Sequence, residues 1–253
     1  MNTPGLLAAS AACLLFSLGG CAQVTVFSPP PNSEHVTVTV KVPKDLAADT
    51  MRVMYRSAKC PSKESADGVP YEIDGFYPID VEPKQVGQSD LYEAKLARDG
   101  GGACQWKLSN VTFGVHYENT AQFGTDVKYG WGGGVIVIFD ENLAQRRSMD
   151  RITEVDGDLN IKKDFYPWIS ESFIGGHIKR AIIFGQQDVF SYKTKNAKSV
   201  LFEPTLHSDK TLYSTSPRTR NKDDIPQYKY PNGEIINTRS GPSFRRLSEN
   251  ESK

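Results

Sequence analysis

The sequence predicts an all-β protein, an antiparallel β-sandwich of Ig-like architecture with little helix, on three observations. His35 to Val42 reads HVTVTVKV, with valine at every even position and a polar residue at every odd one, the alternation of a half-buried strand. Val135 to Phe139 (VIVIF) is apolar throughout, as in a strand covered on both faces. Polar, Gly- and Pro-rich segments separate such runs, and no stretch carries an apolar stripe of helical period.

Composition sets the outer bounds. The chain has 253 residues, 30 Lys+Arg against 30 Asp+Glu, 21 Gly, 15 Pro and 4 Cys. These values fit one large or two small globular domains and exclude collagen-like, fully disordered, polytopic membrane and disulfide-dense classes. Zero net charge gives no global attraction to nucleic acid or acidic lipid, so no nucleic-acid partner is expected and any binding site must be local.

Residues 1–20 read as a signal peptide. Gly5 to Gly20 (GLLAASAACLLFSLGG) has the length of a secretory apolar core and is too short for a comfortable membrane span. The run ends in Leu18-Gly19-Gly20-Cys21, which resembles the lipobox of bacterial lipoproteins: a large aliphatic residue, two small ones, then the cysteine that takes the lipid. The resemblance implies that Cys21 becomes the acylated N-terminus of the mature protein; the rival reading is an ordinary cleaved signal with a coincidental cysteine. Met1 to Gly5 departs from the family in having no Lys or Arg. Ala22, where an aspartate would signal inner-membrane retention, implies the outer membrane, facing the periplasm of a Gram-negative cell. Residues 21–34 are expected to be a lipid-anchored spacer, stiffened by Pro29-Pro30-Pro31.

Residues 35–148 are expected to form the sandwich. Met51–Arg56, Leu91–Leu96 and Trp106–Tyr117 continue the strand pattern. In the last, the apolar parity is even at Trp106 and Leu108 and odd from Val111, which predicts a β-bulge near Ser109-Asn110. With Cys13 lost in the signal and Cys21 acylated, Cys60 and Cys104 are the remaining thiols, and in an oxidising periplasm they are expected to pair. Closing that loop contributes roughly 3–4 kcal/mol on the chain-entropy account. The segment Glu141–Met149 suits one short helix. Residues 149–240 form a second β-rich half or domain, with strands near 181–184, 189–192 and 200–202. Hairpin signals stand at Asp156-Gly157-Asp158 and Tyr230-Pro231-Asn232-Gly233. Residues 241–253 read as a polar tail.

Motifs that carry chemistry are sparse. His35, His116, His177 and His207 stand in no HxH, HxxxH or HExxH arrangement, so no metal or cofactor is expected, and His116 is expected to face solvent. No serine sits in a GxSxG elbow. The run Asp156-Gly157-Asp158-Leu159-Asn160 begins like a calcium loop but has Ile161 and Pro167 where glycine and glutamate are needed. Gly130-Trp131-Gly132-Gly133-Gly134 precedes a strand, unlike a phosphate loop. As a glycine-rich loop it would display Tyr129 and Trp131 to a partner, or plug the end of the sandwich; Tyr166-Pro167-Trp168 is a second candidate.

The lipobox, the short spacer and the all-β body together resemble the periplasmic immunity lipoproteins that accompany type VI secretion effectors, phospholipases among them. That resemblance implies a non-enzymatic protein that binds a toxin and occludes it. The alternatives are a structural or assembly lipoprotein of the envelope, and a glycan- or lipid-active hydrolase with scattered catalytic residues.

Overall fold

The computed structural model describes residues 26–142 and 152–249. The expected signal peptide, Cys21, most of the helix expected over Glu141–Met149 and the last four residues lie outside the described residues; Glu141 and Asn142 are described and are not helical.

The chain is nearly all strand. In order, the elements are β1 (His35–Lys41), β2 (Ala47–Ala48), β3 (Met51–Ala66), β4 (Val69–Val81), β5 (Lys84–Gln85), β6 (Leu91–Ala97), β7 (Asp99–Gly101), β8 (Trp106–His116) and β9 (Val127–Gly132). There follow β10 (Gly134–Ile138), β11 (Thr153–Asp156), β12 (Leu159–Ser172), β13 (Ile178–Phe184), β14 (Val189–Lys195), β15 (Ser199–Leu206), β16 (Leu212–Thr215), β17 (Gln227–Lys229) and β18 (Ile235–Asn237). One short helix, α1 (Phe244–Ser248), closes the described chain.

Two sheets stack as a sandwich. The first runs β18-β17-β16-β12-β15-β1-β6-β5, with β13 joining β12 to β9; the second runs β11-β14-β10-β8-β3-β4, with β2 and β7 on β8. Their facing sides share one core: Phe113 of the second sheet packs edge-on against Phe202 of the first at 6.1 Å, and Phe190 against Phe165 at 6.0 Å. In β1 the even valines Val36, Val38 and Val40 are buried in that core, as the alternation requires. Pairing is mixed rather than wholly antiparallel, because strands far apart in sequence lie side by side: β1 runs parallel to β15, and β10 to β14.

The expected bulge is present. Met54 faces Asn110 while Tyr55 faces Leu108, so Ser109 is the extra residue. It turns Leu108 and Val111 to the same core despite their opposite parity, and leaves Asn110, Thr112 and His116 on the other face. The Tyr230–Gly233 turn joins β17 to β18 as a hairpin. Asp156-Gly157-Asp158 does not make one: β11 lies in the second sheet and β12 in the first, so the turn is a crossing between sheets. Thr194 Oγ1 donates to Gly157 O, and Asp158 accepts from the N–H groups of Lys198 and Ser199, which fixes the crossing.

Three further segments differ from expectation. From Val26 the spacer is docked: Ser28 N–H donates to Gly100 O at 2.9 Å and Phe27 lies against Tyr55 and Tyr77. The stretch 241–249 is not a simple tail, since Leu247 is fully buried. Strands lie on both sides of the boundary expected near Met149 and hydrogen-bond to one another in both sheets.

Cys60 and Cys104 form a disulfide. It sits where β3 bulges: Ser57 pairs with Gly75 and Ser62 with Ile73, so four residues of β3 oppose one of β4. Gly75 accepts this fold-over only because it has no side chain, as a Cβ there would lie 1.7 Å from Cys60 O. Beyond the bulge, β3 and β4 continue as a two-stranded arm to the turn at Asp67-Gly68, both at positive φ.

Candidate functional site

The end of the sandwich opposite the arm gathers the site candidates. The turn from β9 to β10 passes from one sheet to the other through Gly132 and Gly133, at φ 107° and 70°. A Cβ on Gly132 would meet Ile183 O at 1.9 Å, so glycine is required for this close approach. Gly130-Trp131-Gly132 is therefore the end of a strand and not a free loop. A bulge here places Tyr129 opposite Ala181 but Gly132 opposite Ile183. The extra residue splits the two aromatics. Tyr129 packs on the main core beside Tyr117 and His116, its hydroxyl donating to Gly132 O at 3.1 Å. Trp131 turns to the outer face of the first sheet, 43% exposed, edge-on to Trp168 at 6.2 Å.

That outer face carries a second, smaller core. Tyr166, Leu212, Tyr228, Tyr230 and Leu247 are buried there, with Trp168, Phe184 and Phe244 packed against them. Trp168 Nε1 donates to Ser214 Oγ at 2.7 Å, which orients the indole at the edge of the cluster. Of the four aromatic candidates, Trp131 and Trp168 meet at the surface, Tyr129 is half-buried, and Tyr166 is fully buried. Tyr166 is corrected from surface contact to core: it pairs with Phe184 in the ladder, and Phe244 of α1 covers it.

On the outer face of the second sheet, at the same end, lies a cleft of about 640 Å³. His116 lines it and is half-buried rather than simply solvent-facing, because β2 brings Asp49 against β8. Asp49 N–H donates to Gly114 O at 3.0 Å, and Asp49 Oδ1 stands 2.7 Å from His116 Nδ1. Gly114 makes room for this, since a Cβ would fall 2.9 Å from Asp49 Oδ2 and 2.4 Å from Gly133 O. Burial raises the Asp49 carboxyl above its ordinary value, partly offset by the hydrogen bond and charge of His116. Burial, with the Asp49 charge, also pushes the Tyr129 hydroxyl far up. Around the pair, Thr50 donates to Glu82 and Arg52 faces Asp80 at 3.6 Å, with Asn110 and Thr112 on the floor.

Sequence reasoning missed the Asp49–His116 pair because the two residues are 67 positions apart and meet only through a two-residue strand. Two more histidines also pair with carboxylates, His177 with Glu171 at 2.7 Å and His207 with Asp164 at 3.0 Å. Among the described residues no group of three or more His, Cys, Asp or Glu is placed to hold a metal ion. The loop Asp156–Asn160 uses Asp158 to cap backbone N–H groups instead. No known protein family, curated protein or solved structure matches the chain.

Proposed function

We propose that the chain is a lipid-anchored binding protein of the bacterial envelope that captures a protein partner and neutralises it without turnover. By the resemblance carried by Leu18-Gly19-Gly20-Cys21 and the all-β body, the partner is a secreted antibacterial toxin such as a phospholipase. The observation that supports binding is Trp131: a large indole, 43% exposed, held on a glycine-fixed strand end against Trp168. A preformed aromatic anchor loses little conformational freedom on binding, which is what interface hot spots require. Loss of the gene should make cells sensitive to toxin-secreting siblings, with protection restored by the wild type and not by Trp131→Asp of equal thermal stability. Full protection by that variant, or unchanged sensitivity on gene loss, overturns the reading.

A second reading is favoured by one observation. A half-buried Asp–His pair lining a cleft has the base-and-orienter arrangement that hydrolytic sites use, in which Asp49 would hold the tautomer whose His116 Nε2 is free to accept a proton. Turnover of phospholipid or glycan by purified protein, abolished in His116→Gln, would establish it in place of the first.

A further inference from the structure

The β3–β4 arm is the other feature at odds with a closed sandwich. Residues that face each other across a ladder share a face, so Ala66 and Val69, Glu64 and Tyr71, and Ser62 and Ile73 lie together. On β4 this parity continues through Gly75 to Tyr77, Ile79 and Val81, which pack on the main core. The core-facing stripe thus runs out past the end of the sandwich, where Val69 is 66% and Tyr71 47% exposed. A two-stranded hairpin with no covered face is marginal in water.

Strand addition is disfavoured. Beyond Arg56 both strands of the arm are open edges, and Pro70 in β4 and Pro61 where β3 enters the arm have no N–H, so each edge lacks a donor.

The N-terminal segment lies beside the root of the arm. A Cβ on Gly102 would meet Val26 O, Ser28 bridges to Gly101, and Ser57 at the root of the arm donates to Cys104 O. Val26 and the arm therefore leave the same end of the sandwich. Five residues from Cys21 to Val26 reach at most ~18 Å when fully extended. The seven residues from Cys60 to Asp67, at strand rise, carry the arm ~23 Å outward. With lipid on Cys21, the tether is no longer than the arm.

We propose that the arm is a second membrane contact, its Val69, Tyr71 and Ile73 seated in the interfacial layer of the bilayer that holds the Cys21 lipid. This rests on the lipid-anchor part of the function proposed above. Tyrosine suits that layer, with its ring in the acyl boundary and its hydroxyl in water. Lys59 and Lys63 stand against Glu64, Asp67, Glu72 and Asp74, so the arm is net acidic and the matching surface is zwitterionic lipid rather than anionic.

The test uses the full lipidated chain in vesicles of phosphatidylethanolamine and phosphatidylcholine. An environment-sensitive fluorophore is placed on Tyr71→Cys, on Val69→Cys in a second preparation, and on Trp131→Cys as the far-end control. The labels at 71 and 69 should shift to the blue and lose most of their emission to a lipid-borne quencher near the headgroups, while the label at 131 should not respond. The mass of the N-terminal peptide reads acylation separately. An acylated protein whose labels at 71 and 69 behave like that at 131 overturns the arm contact alone. An unacylated N-terminus overturns the anchor, and the arm contact with it.

Discussion

Trp131 and Tyr166 are both aromatic residues of the first sheet, one beside glycines and one before a proline, and burial gives them opposite roles. Trp131→Ala should leave the melting temperature nearly unchanged, because much of the indole is already in water. Tyr166→Ala should lower stability by about 3–5 kcal/mol, the range for truncating a buried aromatic. Denaturant titration of the two variants checks both. The carboxylates give a second pair of opposite effects. Hydrogen bonds from Lys107 Nζ and Gly101 N–H hold Asp99 below its ordinary 3.8. The unfolded state then binds more protons, so this contribution is present above pH 3.8 and is lost as pH falls through the folded value. Asp49 is raised by burial, so its slope has the other sign: folding is relatively favoured in acid and loses that increment as pH rises. Stability measured as pH falls from neutral into the carboxylate range should therefore drop less steeply in Asp99→Asn and more steeply in Asp49→Asn. Equal slopes in all three proteins would refute these assignments.

At the scale of elements, the arm and its disulfide act together. The bridge spans 44 residues, which is worth about 4 kcal/mol on the chain-entropy account. It also pins the bulged root from which the arm extends. In a Cys60→Ala/Cys104→Ala variant, overall stability should fall by that order, and amide exchange should rise most over residues 58–73. Uniform acceleration across the sandwich would mean the bridge acts on the unfolded chain alone.

The same elements show what sequence reading reaches. Period-two runs exposed β1 and β8, an unbroken apolar run exposed β10, and the parity break in β8 revealed its bulge, because burial on one face or on both leaves a direct mark on composition. β4 left no such mark: Pro70, Gly75 and Pro78 interrupt it, and half of its length has no core beneath it. The pairing at Asp156–Asp158 was misjudged because a turn signal specifies a reversal and not which sheet receives the next strand. The cysteine pair was legible from cysteine count and the expected oxidising compartment, whereas the Asp49–His116 pair depends on long-range topology that no local pattern encodes.

On the scale of the whole molecule, the two halves of the chain complete each other's sheets. β1 lies between β15 and β6, and β10 between β14 and β8. Without residues beyond 148, both β1 and β10 would present open edges, and Val36, Val38 and Val40 would lose Phe165, Val200 and Phe202 from the shared core. Open apolar edges of this kind pair with other chains. A fragment of residues 22–148 should accordingly aggregate or fail to give a cooperative transition, while residues 22–253 should unfold in one step with matching calorimetric and van't Hoff enthalpies. Two separated transitions in the longer protein, with the fragment reproducing the first of them, would show that the halves fold independently despite their interleaved strands. A single transition would have a functional consequence. β8 runs from the root of the arm, at Trp106, to His116 beside the cleft, so the arm and the Trp131 end would be rigidly fixed to one body, and under the proposed membrane contact a partner bound at Trp131 would be held at a set height above the bilayer.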